Sequence, residues 1–263
     1  MTFTPILPQS GFAGWAFLKR TMVAQKATFA ATANLKRDQD YFRAKIGAIN
    51  TAEELVKDKR LLRVALTAYG LEGDVNNTFF IKKVLADGTL TTGALVNKLA
   101  DKQYQKFSAA FGFGDFATPR NKLSDFADKT LALYQTRQFE AAVGVQSTDM
   151  RLALNIEREL PVLAKKAVSE DSMWFAVMGN TAIRKVFEQA LSLPASFGAI
   201  DLDRQLSTLK ARTNSMFGSP SVKQFSDPVQ LEKLVRQFLV RSEESGATRT
   251  TRGAMALQLL QAQ

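Results

Sequence analysis

Few residues in this chain of 263 could do chemistry, and the two side chains on which most sites depend are missing: it has no cysteine and no histidine. Without cysteine there are no disulfides, thiolate nucleophiles, zinc–thiolate sites or iron–sulfur clusters. Without histidine the usual general base near neutral pH, the Ser-His-Asp and Cys-His arrangements and the commonest metal ligand are excluded. What survives is carboxylate chemistry, a lysine-based mechanism or an oxygen-only metal site. Asp201 and Asp203 have the D-x-D spacing that can hold a divalent cation through oxygens. Asp201 at a helix start is, however, accounted for by capping alone. Glu157 and Glu159, two apart on a helix, diverge rather than share a site. Glu53-Glu54 suits a helix N-terminus, where the dipole favours negative charge. Gly112-Phe113-Gly114 lacks the third glycine, preceding strand and lysine of a phosphate loop, and reads as a helix C-cap and turn. No catalytic, cofactor-binding or metal-ligating residue is assigned, no cofactor is expected, and the chain is read as a non-enzyme.

The elements that would position any site are helical. Hydrophobic residues at 46% and charged residues at 23% are ordinary globular values. Strand alternation is absent, so the fold class is all-α, a multi-helix bundle. Helices are expected from Phe12, over 38–49, over 52–69 with a break at Asp58-Lys59-Arg60, and over 78–85, 92–99 and 102–111. Thr51 and Glu54 have capping-box spacing, and Gly70 is placed for a C-cap. Further helices follow over 123–144, over 149–168 with a kink or break at Pro161, over 181–191, over 202–216 capped by Asp201, and from Pro228 to near Arg241. The division expected is a flexible N-terminal arm (1–11), an N-terminal helical half (12–122), long connecting helices (123–172), a C-terminal half (173–241) and a loose tail (242–263). Leu61 to Leu71 echoes Ile183 to Leu193 at an offset of 122. Two related halves would explain this, and chance likeness between amphipathic helices is the competing account.

In the first helix Trp15, Met22 and Phe29 fall seven apart and Leu18 shares their side, between polar Lys19, Arg20, Gln25 and Lys26. The stripe packs as core or serves as a partner-binding helix. Phe12, Trp15, Leu18, Met22 and Phe29 are the candidate partner-binding residues. Residues 2–18 carry no basic lead and are interrupted by Pro5, Pro8, Gly11 and Gly14, so neither a signal peptide nor a membrane span is expected.

The net charge is +10. Residues 1–60 hold ten Lys/Arg against five Asp/Glu, 61–122 eight against five, 123–172 six against eight, and 173–263 eleven against seven. A nucleic-acid module gathers its charge on one face with a recognisable motif. Here the excess is spread, so a nucleic acid is not the expected partner; a solvated basic surface or docking on an acidic protein is favoured.

Several stretches resemble one bacterial family. They are Asp38-Gln39-Asp40-Tyr41-Phe42-Arg43, Leu55 to Leu62, Ala65-Leu66-Thr67-Ala68-Tyr69-Gly70-Leu71 and Asn77 to Leu85. Arg184-Lys185-Val186-Phe187 to Leu193-Pro194 and Phe225-Ser226-Asp227-Pro228 complete the likeness, which spans about residues 30 to 240. The family is an uncharacterised one of helical proteins encoded in flagellar gene clusters of proteobacteria. The resemblance implies a flagellar structural or assembly protein, made in the cytoplasm and associated with the flagellum or exported without a cleaved signal. Its partners would be flagellar structural or export components; no small-molecule ligand is indicated. A basic regulator binding nucleic acid is the alternative. The sequence shows no long C-terminal heptad helix to pair with the N-terminal one, which argues against a filament, hook or rod subunit.

Overall fold

The computed structural model describes the backbone of residues 3–261 and the side chains of residues 3–244. Among them are thirteen α-helices and no strand. The chain divides into two compact units, one of residues 1–6 and 21–142, the other of residues 7–20 and 143–263. Helices α1 (Gly11–Ala30) and α8 (Phe126–Gln146) each contribute to both.

The first unit holds α2 (Ala33–Lys45), α3 (Ala52–Lys57), α4 (Lys59–Tyr69), α5 (Thr78–Ala86), the single turn α6 (Leu95–Lys98) and α7 (Gln103–Phe111). Side chains fix the helix ends. The Thr51 hydroxyl accepts from Glu54 N–H at 3.1 Å, while the Glu54 carboxylate reaches back to Asn50 N–H at 2.7 Å, one residue short of a reciprocal capping box. Asp58 is the break between α3 and α4, and its carboxylate accepts from Arg60 and Leu61 N–H. The core is aromatic and aliphatic. Phe42, Leu55, Leu62, Ile81, Val84, Phe107 and Phe111 are fully buried, with Phe111 edge-on to Phe107 and Phe126.

The second unit holds α9 (Thr148–Ala164), α10 (Glu170–Gly179), α11 (Thr181–Ala190), α12 (Leu202–Phe217) and α13 (Pro228–Gln261). Trp174, Phe187 and Phe225 form its aromatic centre, and the Trp174 indole donates to Pro220 O at 3.0 Å. Helix α9 runs through Pro161, which falls in its last turn and does not interrupt it.

Three expectations change. The helix expected over 92–99 shrinks to the turn α6: Asp115 holds Thr89 and Leu90 in a loop, and the Asn97 amide donates to Thr89 O and Thr91 O across it. The second helix begins earlier, at Ala33, and tightens into a 3-10 turn over Ile46–Ala48. Helix α13 does not end near Arg241 but continues to Gln261.

The two units repeat one plan. α2 packs on α4 as α9 packs on α11; α3 packs on α4 and α5 as α10 packs on α11 and α12; α4 packs on α7 as α11 packs on α13. Thr51 and Ser169 cap α3 and α10 through the N–H three residues on. The second residue of each, Glu53 and Asp171, pairs with Lys82 on α5 and Lys210 on α12. Asp58 and Asn180 each accept the N–H groups two and three residues on. Asp101 and Asp227 each accept from the N–H two residues on, ahead of α7 and α13, and Phe111 and Phe238 are both fully buried.

Candidate functional site

The residues singled out along α1 do not form one surface. Trp15 and Leu18 are 2% and 0% exposed and belong to the packing of the second unit. In the same unit Gly14 admits no side chain, since a Cβ there would meet Gln9 O at 1.9 Å and Met150 at 2.6 Å. Lys19 pairs with Glu157 of α9 at 2.7 Å, and the Arg236 guanidinium of α13 lies 5.1 Å from the half-buried Phe12 ring. Met22 and Phe29 are half-buried, Phe29 standing edge-on to Phe139 within the first unit. The arm before α1 is tied rather than free: Ile6 N–H and C=O both bond the Gln25 amide.

The carboxylates considered for chemistry are engaged structurally. Asp201 caps α12, accepting from Asp203 and Arg204 N–H, and no group of three or more potential metal ligands occurs among the described residues. Glu157 turns to Lys19 and Glu159 to Arg158. Gly112 is the left-handed C-cap of α7 at φ 65°, and a Cβ on Gly114 would lie 2.2 Å from Ala86 O, so this glycine pair serves a turn packed against backbone.

A polar cluster lies on the first unit, between α2, α4 and α8. Asp38 accepts from Arg60 Nε at 2.8 Å, from Arg63 at 3.1 Å and from the Tyr134 hydroxyl at 3.1 Å. The Arg60 guanidinium lies over the Tyr41 ring at 4.6 Å, and the Tyr41 hydroxyl donates to Asp58 at 2.7 Å. Arg43 pairs with Asp128 of α8 at 2.7 Å. Burial and the Asp38 charge push the Tyr134 hydroxyl well above the ordinary tyrosine range, and the hydrogen bond to Asp58 raises that of Tyr41. Both phenols therefore stay protonated and donate. The cluster joins three helices and presents Arg43 and Arg63, each more than half exposed, to solvent. Beside it lies a shallow open depression lined by Ile49, Glu54, Lys57, Asp58 and Lys59.

Sequence reading did not assemble this cluster. Its one signal was Asp38 itself: Leu35, Asp38 and Phe42 are three and four residues apart, and a carboxylate on the stripe that carries two buried side chains needs partners.

Comparison with known proteins adds a family and a fold. No curated protein matches the chain. A crystal structure of protein AGR_C_984 from Agrobacterium tumefaciens, a structural genomics target, resembles it with a TM-score of 0.73 at 23% identity, over 92% of this chain and 98% of that one. At that identity the likeness speaks to fold alone. A family described as "protein of unknown function (DUF1217)" matches residues 68–231, more than half of the chain, and the chain belongs to that family.

Proposed function

We propose that this is a flagellum-associated structural or assembly protein that works through helix-mediated contacts with other proteins and catalyses no reaction. The resemblance to proteins encoded in flagellar gene clusters supplies the setting. The observation that carries the mechanism is the thin cover over α12. Only Gln205, Leu209 and Thr213 of this helix are buried. Leu202 and Met216 are left 52% and 40% exposed, and on α10, which packs against α12, Phe175 is 40% exposed. A pair of helices that keeps large apolar side chains in water has the character of a protein-contact surface. The polar clusters support the same reading, since their carboxylates cap helices or hold arginines and lysines between them. In this reading the protein is made in the cytoplasm and acts at the flagellum.

The test is recovery of flagellar structural or export components on the tagged full-length chain from motile cells. Wild type should retain them, and Phe175→Ser with Leu202→Ser should lose most of the retention while circular dichroism stays unchanged. Equal retention by the double variant would place the contact elsewhere.

A further inference from the structure

The repeated plan of the two units allows each residue of one to be compared with its counterpart in the other, and the comparison isolates a surface. From α2 to α3 the counterparts lie 118 residues on: Leu35, Phe42 and Ile46 correspond to Ala153, Leu160 and Ala164, all buried, and Thr51 to Ser169. From Asp58 the offset is 122: Leu61, Val64 and Ala68 correspond to Ile183, Val186 and Ala190, again all buried. In this register the counterpart of Asp38 is Ile156, fully buried. Those of Arg60 and Arg63 are Ala182 and Lys185. One unit thus has an apolar contact where the other keeps a carboxylate, 15% exposed, beneath two arginines. Holding a charge there costs desolvation that an apolar residue avoids.

The total charge of the two helix pairs differs as well. Helices α2 and α4 carry seven Lys/Arg against two Asp, whereas α9 and α11 carry four against four. We infer that the α2–α4 face is the surface on which this chain binds an acidic segment of a partner protein, with Arg60 and Arg63 as its anchors. The inference rests on the protein-contact reading and adds the chemistry of one partner. Arg60 is pre-oriented by Asp38 and by the Tyr41 ring, and Arg63 by Asp38, so little rotamer freedom remains to be lost when a second carboxylate arrives. Arginine and tyrosine are the residue types that anchor interfaces. A protein is favoured over a nucleic acid because Asp38 and Asp40 stand on α2 with these basic groups, a mixture that suits a patterned acidic segment better than a continuous phosphate backbone.

The cysteine-free chain permits a direct test. Lys59→Cys and Thr181→Cys place single thiols at counterpart, exposed positions, the first residues of α4 and α11. Each full-length protein carries a thiol-linked photocrosslinker and is irradiated in motile cells. The expected result is a protein adduct from Lys59→Cys that mass spectrometry maps to a stretch rich in Asp and Glu. Adding Arg63→Gln, at a side chain 54% exposed, should lower its yield roughly tenfold, the scale of one interface anchor. Adducts to nucleic acid would overturn the choice of partner. Protein adducts from Thr181→Cys alone would overturn the face and leave protein contact standing. Protein adducts from neither label, with retention of flagellar components also absent, would remove both readings.

Discussion

Gly70 and Ser192 end helices α4 and α11 in the same way. Each is in the left-handed region, at φ 76° and 52°. Around Gly70 the bonds are Leu71 N–H to Leu66 O at 2.9 Å and Gly70 N–H to Thr67 O at 3.0 Å. Around Ser192 they are Leu193 N–H to Glu188 O at 2.8 Å and Ser192 N–H to Gln189 O at 3.1 Å. Both are Schellman closures, and only one has the residue that adopts this conformation without steric penalty.

Ser192→Gly should therefore stabilise the protein. Relief of a left-handed serine is worth about 1–2 kcal/mol, and the added freedom of the unfolded chain takes back about 0.4–1 kcal/mol. A gain of about 0.5–1 kcal/mol in urea unfolding is expected. Gly70→Ala should lose a similar amount, and more if the Gln103 amide oxygen, which would lie 2.6 Å from the added methyl carbon, cannot move away.

The stripe on α1 gives a second prediction. Trp15 is 2% exposed, so Trp15→Ala should cost about 3–5 kcal/mol, the scale for emptying a large aromatic site. Removal of residues 1–30 would take away Trp15 and Leu18 together and should unfold the second unit, read as loss of its hydrogen-exchange protection. A truncated chain with full protection in residues 148–239 would contradict this.

Asn121 is a buried clamp. Its side-chain amide donates to Ile46 O at 2.7 Å and Ile49 O at 2.8 Å, holding the 3-10 turn that follows α2. Asn121→Ala takes the amide donor from Ile49 O and leaves Ile46 O with the Ile49 N–H, and should cost about 1–3 kcal/mol. Unchanged stability would mean that water replaces the amide.

Acid should open the loop after α5. Burial alone would raise the Asp115 carboxyl, but bonds from the Thr89 and Leu90 N–H groups and the Thr89 hydroxyl, with Arg120 nearby, outweigh it and hold it below the ordinary carboxylate range. A group depressed in the folded state contributes stability above its unfolded pKa, about 3.9, and that stability is lost as pH falls through the lower folded value. The protection of the Thr89 and Leu90 amides, relative to their intrinsic exchange at each pH, should fall below about pH 4 in the wild type and be weaker already at neutral pH in Asp115→Ala.

The sequence made the helices legible where local chemistry sets them. Thr51, Gly70 and Asp201 announce caps by type and spacing, and each is a cap; Asp58, read as part of a break, caps α4 as well. It misplaced the end of α13: the run after Arg241 is polar and carries Gly246 and Gly253, yet the helix continues through them to Gln261. The polar cluster was hidden for a different reason. Asp38, Arg60 and Tyr134 come from three helices far apart in the chain, and no local pattern records a contact across that separation. The α1 stripe was legible as a stripe, but whether it faces its own unit or a partner is decided by Met150, Arg236 and Phe139, which lie more than a hundred residues away.

The most direct test of the central claim is where the protein resides in motile cells. Tagged full-length chain would be followed through cytoplasmic, envelope and purified basal-body fractions. The account predicts co-purification with basal-body or export components, resistant to nuclease. Recovery only as a free protein, or release from the bound fraction by nuclease, would contradict it.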